Sequence, residues 1–348
     1  MRALIIAAAI AAATGCATTP PLVTGLPAVT VVAAGETRPV ASAAGQDAAD
    51  DPAIWRNPVD PAASLIVATD KKAGLYVYGL DGAVRHFDPA GRLNNVDLVA
   101  LGDGTVVVAA SDRNDPAQAR LRLYRLDIAT ARLIPLGTVA AGAGEAYGVC
   151  LWRDGAALTA FSVLKAGDVH QIRIDLSSGG APRATMVRSL KLATQTEGCV
   201  VDPRSRQLFV GEEDVGIWRF DARAEGPVTG TLVAPADGRH LVADVEGLAI
   251  APEGADGGWL VASSQGDNAY ALYHLPDLRP AGRFRVIAGA FGAAEETDGI
   301  DLALGNFGDT YPDGLIVVQD GNNAPAAQNF KLVSWRDVRK RLSEGSGQ

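Results

Sequence analysis

Asp51-Pro-Ala-Ile-Trp55, Leu65-Ile-Val-Ala-Thr69 and Gly74-Leu-Tyr-Val-Tyr78 form one unit: an acidic start to a short strand, a strongly apolar strand, and an alternating strand. The unit recurs along the chain. Asn95-Val-Asp-Leu-Val99 leads to Val106-Val-Val-Ala-Ala110 and Leu121–Leu126, and Tyr147-Gly-Val-Cys-Leu151 to Ala157–Phe161 and His170–Ile174. Glu197-Gly-Cys-Val-Val201, Glu246-Gly-Leu-Ala-Ile250 and Asp298-Gly-Ile-Asp-Leu302 each open a further copy. The openings fall roughly 50 residues apart, the length of a four-stranded blade, so six copies predict an all-β, six-bladed β-propeller. The strand-like stretch Ala28 to Ala33 is expected to complete the last blade and close the ring. Helical periodicity is confined to the extreme N-terminus and to Arg336–Leu342.

Outside the repeats the chain reads as a leader and a linker. Met1-Arg2 supplies a short positive region, and Ala3 to Ala13 is an apolar run too short to anchor in a bilayer as a spanning helix. Ala13-Thr14-Gly15-Cys16 is similar to a lipoprotein processing box, with Cys16 as the lipidated residue, and ordinary cleavage nearby is the alternative. The division expected is leader 1–16, linker 17–27, propeller 28–343 and tail 344–348, with an extracytoplasmic destination: periplasmic, outer-membrane-anchored or secreted. In such a compartment Cys150 and Cys199 are candidates for a disulfide; two separately buried thiols are the other reading. The formal net charge of −9, from 31 basic and 40 acidic residues, argues against nucleic acid or an anionic membrane surface as partner.

Strand parity gathers the polar residues. The innermost strand of a blade runs from one face to the other and the second returns, so the start of the first and the loop after the second share a face. The first position holds Asp50, Asp51, Asp97, Tyr147, Glu197, Glu246 and Asp298. The second holds Lys71, Lys72, Arg113, Lys165, Glu212, Glu213, Asp214, Gln265, Asp267, Gln319 and Asp320. Converging carboxylates repel and raise one another's pKa unless a cation sits among them. Oxygen ligands without His or Cys suit calcium better than zinc or copper. The four histidines (His86, His170, His240, His274) are scattered and form no metal-binding pair.

These same segments carry a resemblance to the β-propeller phytases. Asp50-Asp-Pro-Ala-Ile-Trp55, Asp70-Lys-Lys-Ala-Gly74, Gly91-Arg-Leu-Asn-Asn-Val-Asp-Leu98, Gln195-Thr-Glu-Gly198, Gly211-Glu-Glu-Asp214, Asp244-Val-Glu-Gly247, Thr297-Asp-Gly-Ile-Asp301, Gln319-Asp-Gly321 and Gln328-Asn-Phe-Lys331 look like that family's signature segments, in order, from about Val40 to Trp335. The resemblance implies a six-bladed propeller that binds several Ca2+ ions and removes phosphates from phytate, taken as its calcium complex; a monomer is expected, as is common for propellers. By motif it implies calcium ligands at Asp50, Asp51, Glu197, Glu213, Asp244, Glu246 and Asp298, of which Asp50, Glu197, Glu246 and Asp298 serve catalysis. It implies phosphate contacts at Lys71, Arg113, Tyr147 and Lys165, helped by Lys72. Gln319, Asp320 and Asn323 would belong to calcium sites near the last blade. Two departures stand out. Val99 replaces a common Arg, and Phe291-Gly-Ala-Ala-Glu-Glu296 lacks a further Asp-Gly, which predicts one calcium site weakened or absent.

Rival phosphatase chemistries lack their residues: Arg-His-x-x-Arg-x-Pro, Cys-x5-Arg and Asp-x-Asp-x-Thr are all missing. A calcium-dependent propeller lactonase or sugar-acid hydrolase would want an apolar or neutral wall rather than four basic residues. A non-catalytic surface propeller binding a protein or glycan is the third class.

Overall fold

The computed structural model describes residues 24–176 and 180–345; the leader with Cys16 lies outside them. Six sheets form six blades. Their innermost strands are, in chain order, Ala49–Trp55, Leu93–Ala100, Ala146–Asp154, Thr196–Asp202, Val245–Glu253 and Ile300–Leu304. Within each blade the strands pair antiparallel with their sequence neighbours.

Period-two alternation explains how these sheets assemble. In the strand Gly74–Gly79 every residue is buried. Tyr76 and Tyr78 point into a core shared with the sixth blade, and Leu75 and Val77 into one shared with the second. A strand that reads as continuously apolar is thus one whose two faces meet different neighbours. Each of the six hydrophobic clusters lies between two adjacent blades, so the protein has a ring of small cores. Each large aliphatic side chain buried there contributes about 1.5–3 kcal/mol.

Closure differs from the expectation for Ala28 to Ala33. Val29–Val32 instead runs parallel to Pro280–Ile287 as a fifth, outermost strand on blade five. There Val31 enters the core between blades five and six, and the C-terminal helix Trp335–Gly345 packs beside it. The missing strand of blade six is the short Gly35–Glu36, paired with Leu332 and Lys331. Backbone bonds from Ala34 N to Leu332 O (2.8 Å) and Thr37 N to Phe330 O (2.9 Å) extend this pairing. The buried Lys331 ammonium fixes the register by meeting Glu36 at 2.7 Å. The end of the expected linker is already pinned: Gly25 N donates to Asp267 and Leu26 N to Arg239 O.

The expected propeller is therefore present, and one cross-link stiffens it. Cys150 and Cys199, on the innermost strands of blades three and four, form a disulfide. Among the described residues no helix is long and apolar enough to cross a membrane.

Candidate active site

The innermost strands of blades one to five carry a bulge near their starts, where pairing with the second strand shifts register. A bulge turns the strand and re-aims its side chains. Two residues before regular pairing resumes stand Asp50, Asn94, Tyr147, Glu197 and Glu246, and Asp298 holds the matching place in blade six. These six form a ring at the mouth of the central channel. The next position shows how closely the strands approach: a Cβ on Gly198 would lie 2.1 Å from Glu246 O, and one on Gly148 1.9 Å from Glu197 O. Glycine follows the acid in Glu197-Gly198 because the neighbouring blade's backbone fills the space of a side chain.

One half of this mouth gathers carboxylates. Glu197, Glu213 and Glu246 each bring an oxygen within 4.8 Å of the other two. All three are buried, at 5%, 8% and 6% exposure. Burial pushes Glu197 and Glu246 well above the usual carboxylate range, and neighbouring acids add to it. Glu213 is raised by burial too, with Asp244 contributing. Two oxygens, Glu213 Oε1 and Glu246 Oε2, are buried without any hydrogen-bond partner. Uncompensated buried anions are costly, and these donors are hard oxygens, so the cluster fits a hard divalent cation. Asp244, half-buried, adjoins it through Glu213 and Asp214.

The other half holds a built-in cation. Lys71 Nζ lies 2.7 Å from Asp47, 2.9 Å from Asp50 and 2.8 Å from Asp298. Burial alone would lower the Lys71 ammonium, but Asp50, Asp298 and Asp47 outweigh it and hold it far above the ordinary lysine range. Between the halves stands Tyr147. Lys165 Nζ sits 4.9 Å and Arg113 Cζ 5.5 Å from its ring centre, so one aromatic face system gathers two cations. Arg113 Nε is buried and unpartnered. Lys72 is exposed at the rim. The arrangement can bind a polyanion between fixed cations and a metal-ready carboxylate cluster.

Not every expected residue reaches this mouth. Asp51 lies one residue deeper, accepting from Val96 N at 3.0 Å. With Asp97 and Asp301 it lines a channel cavity of about 50 Å³. Asp97, read from the sequence as a first-position residue, is three residues past that place. Its carboxylate accepts from Leu98 N and Leu151 N, both at 2.6 Å, and burial raises it to about 7. Asn94 takes the ring place instead, donating to Glu197 Oε1 at 2.6 Å. Aligning the six strand starts on their bulges would have found it; the acidic residues alone did not.

Glu212 and Asp267 are occupied elsewhere. Glu212 accepts from Ala193 N, Thr194 N and Trp218 Nε1, and Asp267 pairs with Arg283 and Arg285. Gln319 joins blades six and one, accepting from Asp298 N and donating to Ala49 O. Asp320 and Asn323 meet around Lys331 Nζ, at 3.0 and 3.1 Å, so an ammonium already stands between these two oxygen groups. Glu295 there accepts from Asn322 Nδ2 at 2.7 Å.

Residues 2–346 match the family model described as Phytase. The chain is 38% identical over 331 residues to the 3-phytase of Bacillus subtilis (strain 168), an alignment covering 90% of this chain and 86% of that protein.

Proposed function

Because this chain belongs to the phytase family and is a phosphoric monoester hydrolase, we propose that it hydrolyses phytate with calcium held at the propeller mouth. Glu197, Glu213 and Glu246 would hold the metal, with Asp50, Asp244 and Asp298 around them. The observation that carries this reading is the convergence of three buried glutamates within 4.8 Å, two with orphaned oxygens, beside Lys71, Arg113 and Lys165. Calcium at such a cluster supplies charge neutralisation for phosphate oxygens and a template for the attacking water.

The chain's own residues do the rest. Lys71 stays protonated and presents N–H donors to a phosphate oxygen. Its bond to Asp47, whose side chain is 68% exposed, is the one a phosphate displaces most readily, while Asp50 and Asp298 hold the ammonium in place. Arg113 offers a planar fork that suits two phosphate oxygens, and Lys165 a point charge. Tyr147 sets the spacing of both, which favours substrates bearing several phosphates. The exposed Lys72 extends the positive rim outward. The net negative chain is thereby made locally receptive to an anion.

A lactonase-type reading would want an apolar wall where these cations stand, and no observation favours a non-catalytic role. The leader-like segment 1–16 supports delivery outside the cytoplasm, with Cys16 as a lipid attachment point, and mass spectrometry of the mature N-terminus tests both. The function itself is tested by phosphate release from phytate at neutral pH, with calcium and after chelation by EGTA. Release with calcium and its loss on chelation are expected. No release from calcium-loaded protein would overturn the reading.

A further inference from the structure

The six ring positions hold four acids, a tyrosine and one amide, and the amide is Asn94. It is 1% exposed, and its Nδ2 donates to Glu197 Oε1 at 2.6 Å. This bond joins blade two to blade four, passing over the blade between them, so it belongs to no blade–blade core. Asn95 backs it. Asn94 Nδ2 donates to Asn95 Oδ1 as well, at 2.7 Å, which holds the amide in the orientation that reaches Glu197.

The chemistry of this contact differs from that at Lys71. Lys71 neutralises Asp50 and Asp298 directly. An amide donor fixes the rotation of a carboxylate but adds no charge, so a cation arriving at Glu197 meets no competing positive group from this contact. We propose that Asn94 is a positioning residue of the hydrolytic site, holding Glu197 in the orientation that lets it share a calcium ion with Glu213 and Glu246. This rests on the calcium reading above.

The experiment is a calcium titration by calorimetry of the full chain, wild type first, beside steady-state hydrolysis of phytate. A wild type that binds no calcium sinks the calcium reading itself. Given wild-type binding, Asn94→Ala should weaken calcium affinity by about 10- to 100-fold, the usual cost of losing a group that orients a ligand. At saturating calcium it should lower kcat by about tenfold while KM stays within about twofold, because the phosphate-binding cations are untouched. Asn94→Ser, which keeps a polar group in the buried strand but is too short to span to Glu197, should behave alike. Calcium affinity and kcat both within twofold of wild type, in either folded variant, would overturn the proposal. So would failure of both to fold, since that would make the bond a support of the fold.

Discussion

Lys71 of blade one and Asp298 of blade six meet at 2.8 Å, across 227 residues of sequence, at the seam where the propeller closes. The pair ties the closing interface to the proposed chemistry. Replacing Lys71 by Met removes a phosphate donor and leaves Asp50 and Asp298 facing one another. Loss of one such donor typically costs 10²–10³-fold in turnover. We expect Lys71→Met to lower kcat/KM for phytate by at least about 100-fold with the β-rich circular dichroism spectrum retained. Activity within tenfold of wild type would remove Lys71 from the site.

Glu246 offers an opposite test on stability. Its buried carboxylate, raised well above the ordinary range, costs stability when it is ionised and unpaired. In EGTA at pH 8, Glu246→Gln should therefore melt above the wild type, by about 2 °C or more. Added calcium should raise the wild-type Tm and leave the variant nearly unmoved. A lower Tm for the metal-free variant would contradict the assignment.

The channel acids predict a pH dependence. Burial raises Asp97 to about 7 and Asp301 to about 6, although backbone N–H donors pull both downward. An unfolded Asp titrates near 4, at about 3.9. Because the folded values are higher, the stability these groups contribute is complete below about 4 and is lost as pH rises through 6 to 7. Metal-free protein should show a falling Tm across that window by scanning calorimetry. Asp97→Asn should flatten the fall, and an unchanged slope would refute the attribution.

Joining Cys150 to Cys199, 49 residues apart, restricts the unfolded chain. Loop-closure entropy puts the effect at about 4 kcal/mol. Cys150→Ala with Cys199→Ala should lower the denaturation midpoint accordingly and leave KM for phytate unchanged, since the bridge lies below the mouth. A shift under about 1 kcal/mol would show that the ring alone sets the stability.

Much of the architecture was legible because repetition amplifies weak signals. One Leu65–Thr69 stretch is ambiguous, but six copies at a common spacing are not. The gathering of Asp50, Glu197, Glu246 and Asp298 at one mouth follows from parity alone. What parity cannot see is the bulge. One extra residue before Val96 moves Asn94 into the ring and Asp97 below it, and no local preference announces that step. Partner choice was hidden as well. Val29–Val32 reads plainly as a strand, but two blade edges were open to it, and only the core beside Trp335 and Phe284 decides which it takes. The Gln319 oxygen likewise looks free until Asp298 N is seen to donate to it, and that of Asp320 until Lys331 is seen beside it.

Gly35–Glu36 supplies the last blade's outer strand, so a strand near the start of the described chain waits for one near its end. During synthesis the edge of Asn329–Ser334 does not yet exist, and Gly35–Glu36 has no partner until nearly every residue has left the ribosome, although Val29–Val32 can by then already lie along Pro280–Ile287. The ring is thus a clasp that only a finished polypeptide can fasten. A copy truncated just before Asn329 would leave Gly35–Glu36 and the edge of Gly314–Asp320 open to pairing with other chains.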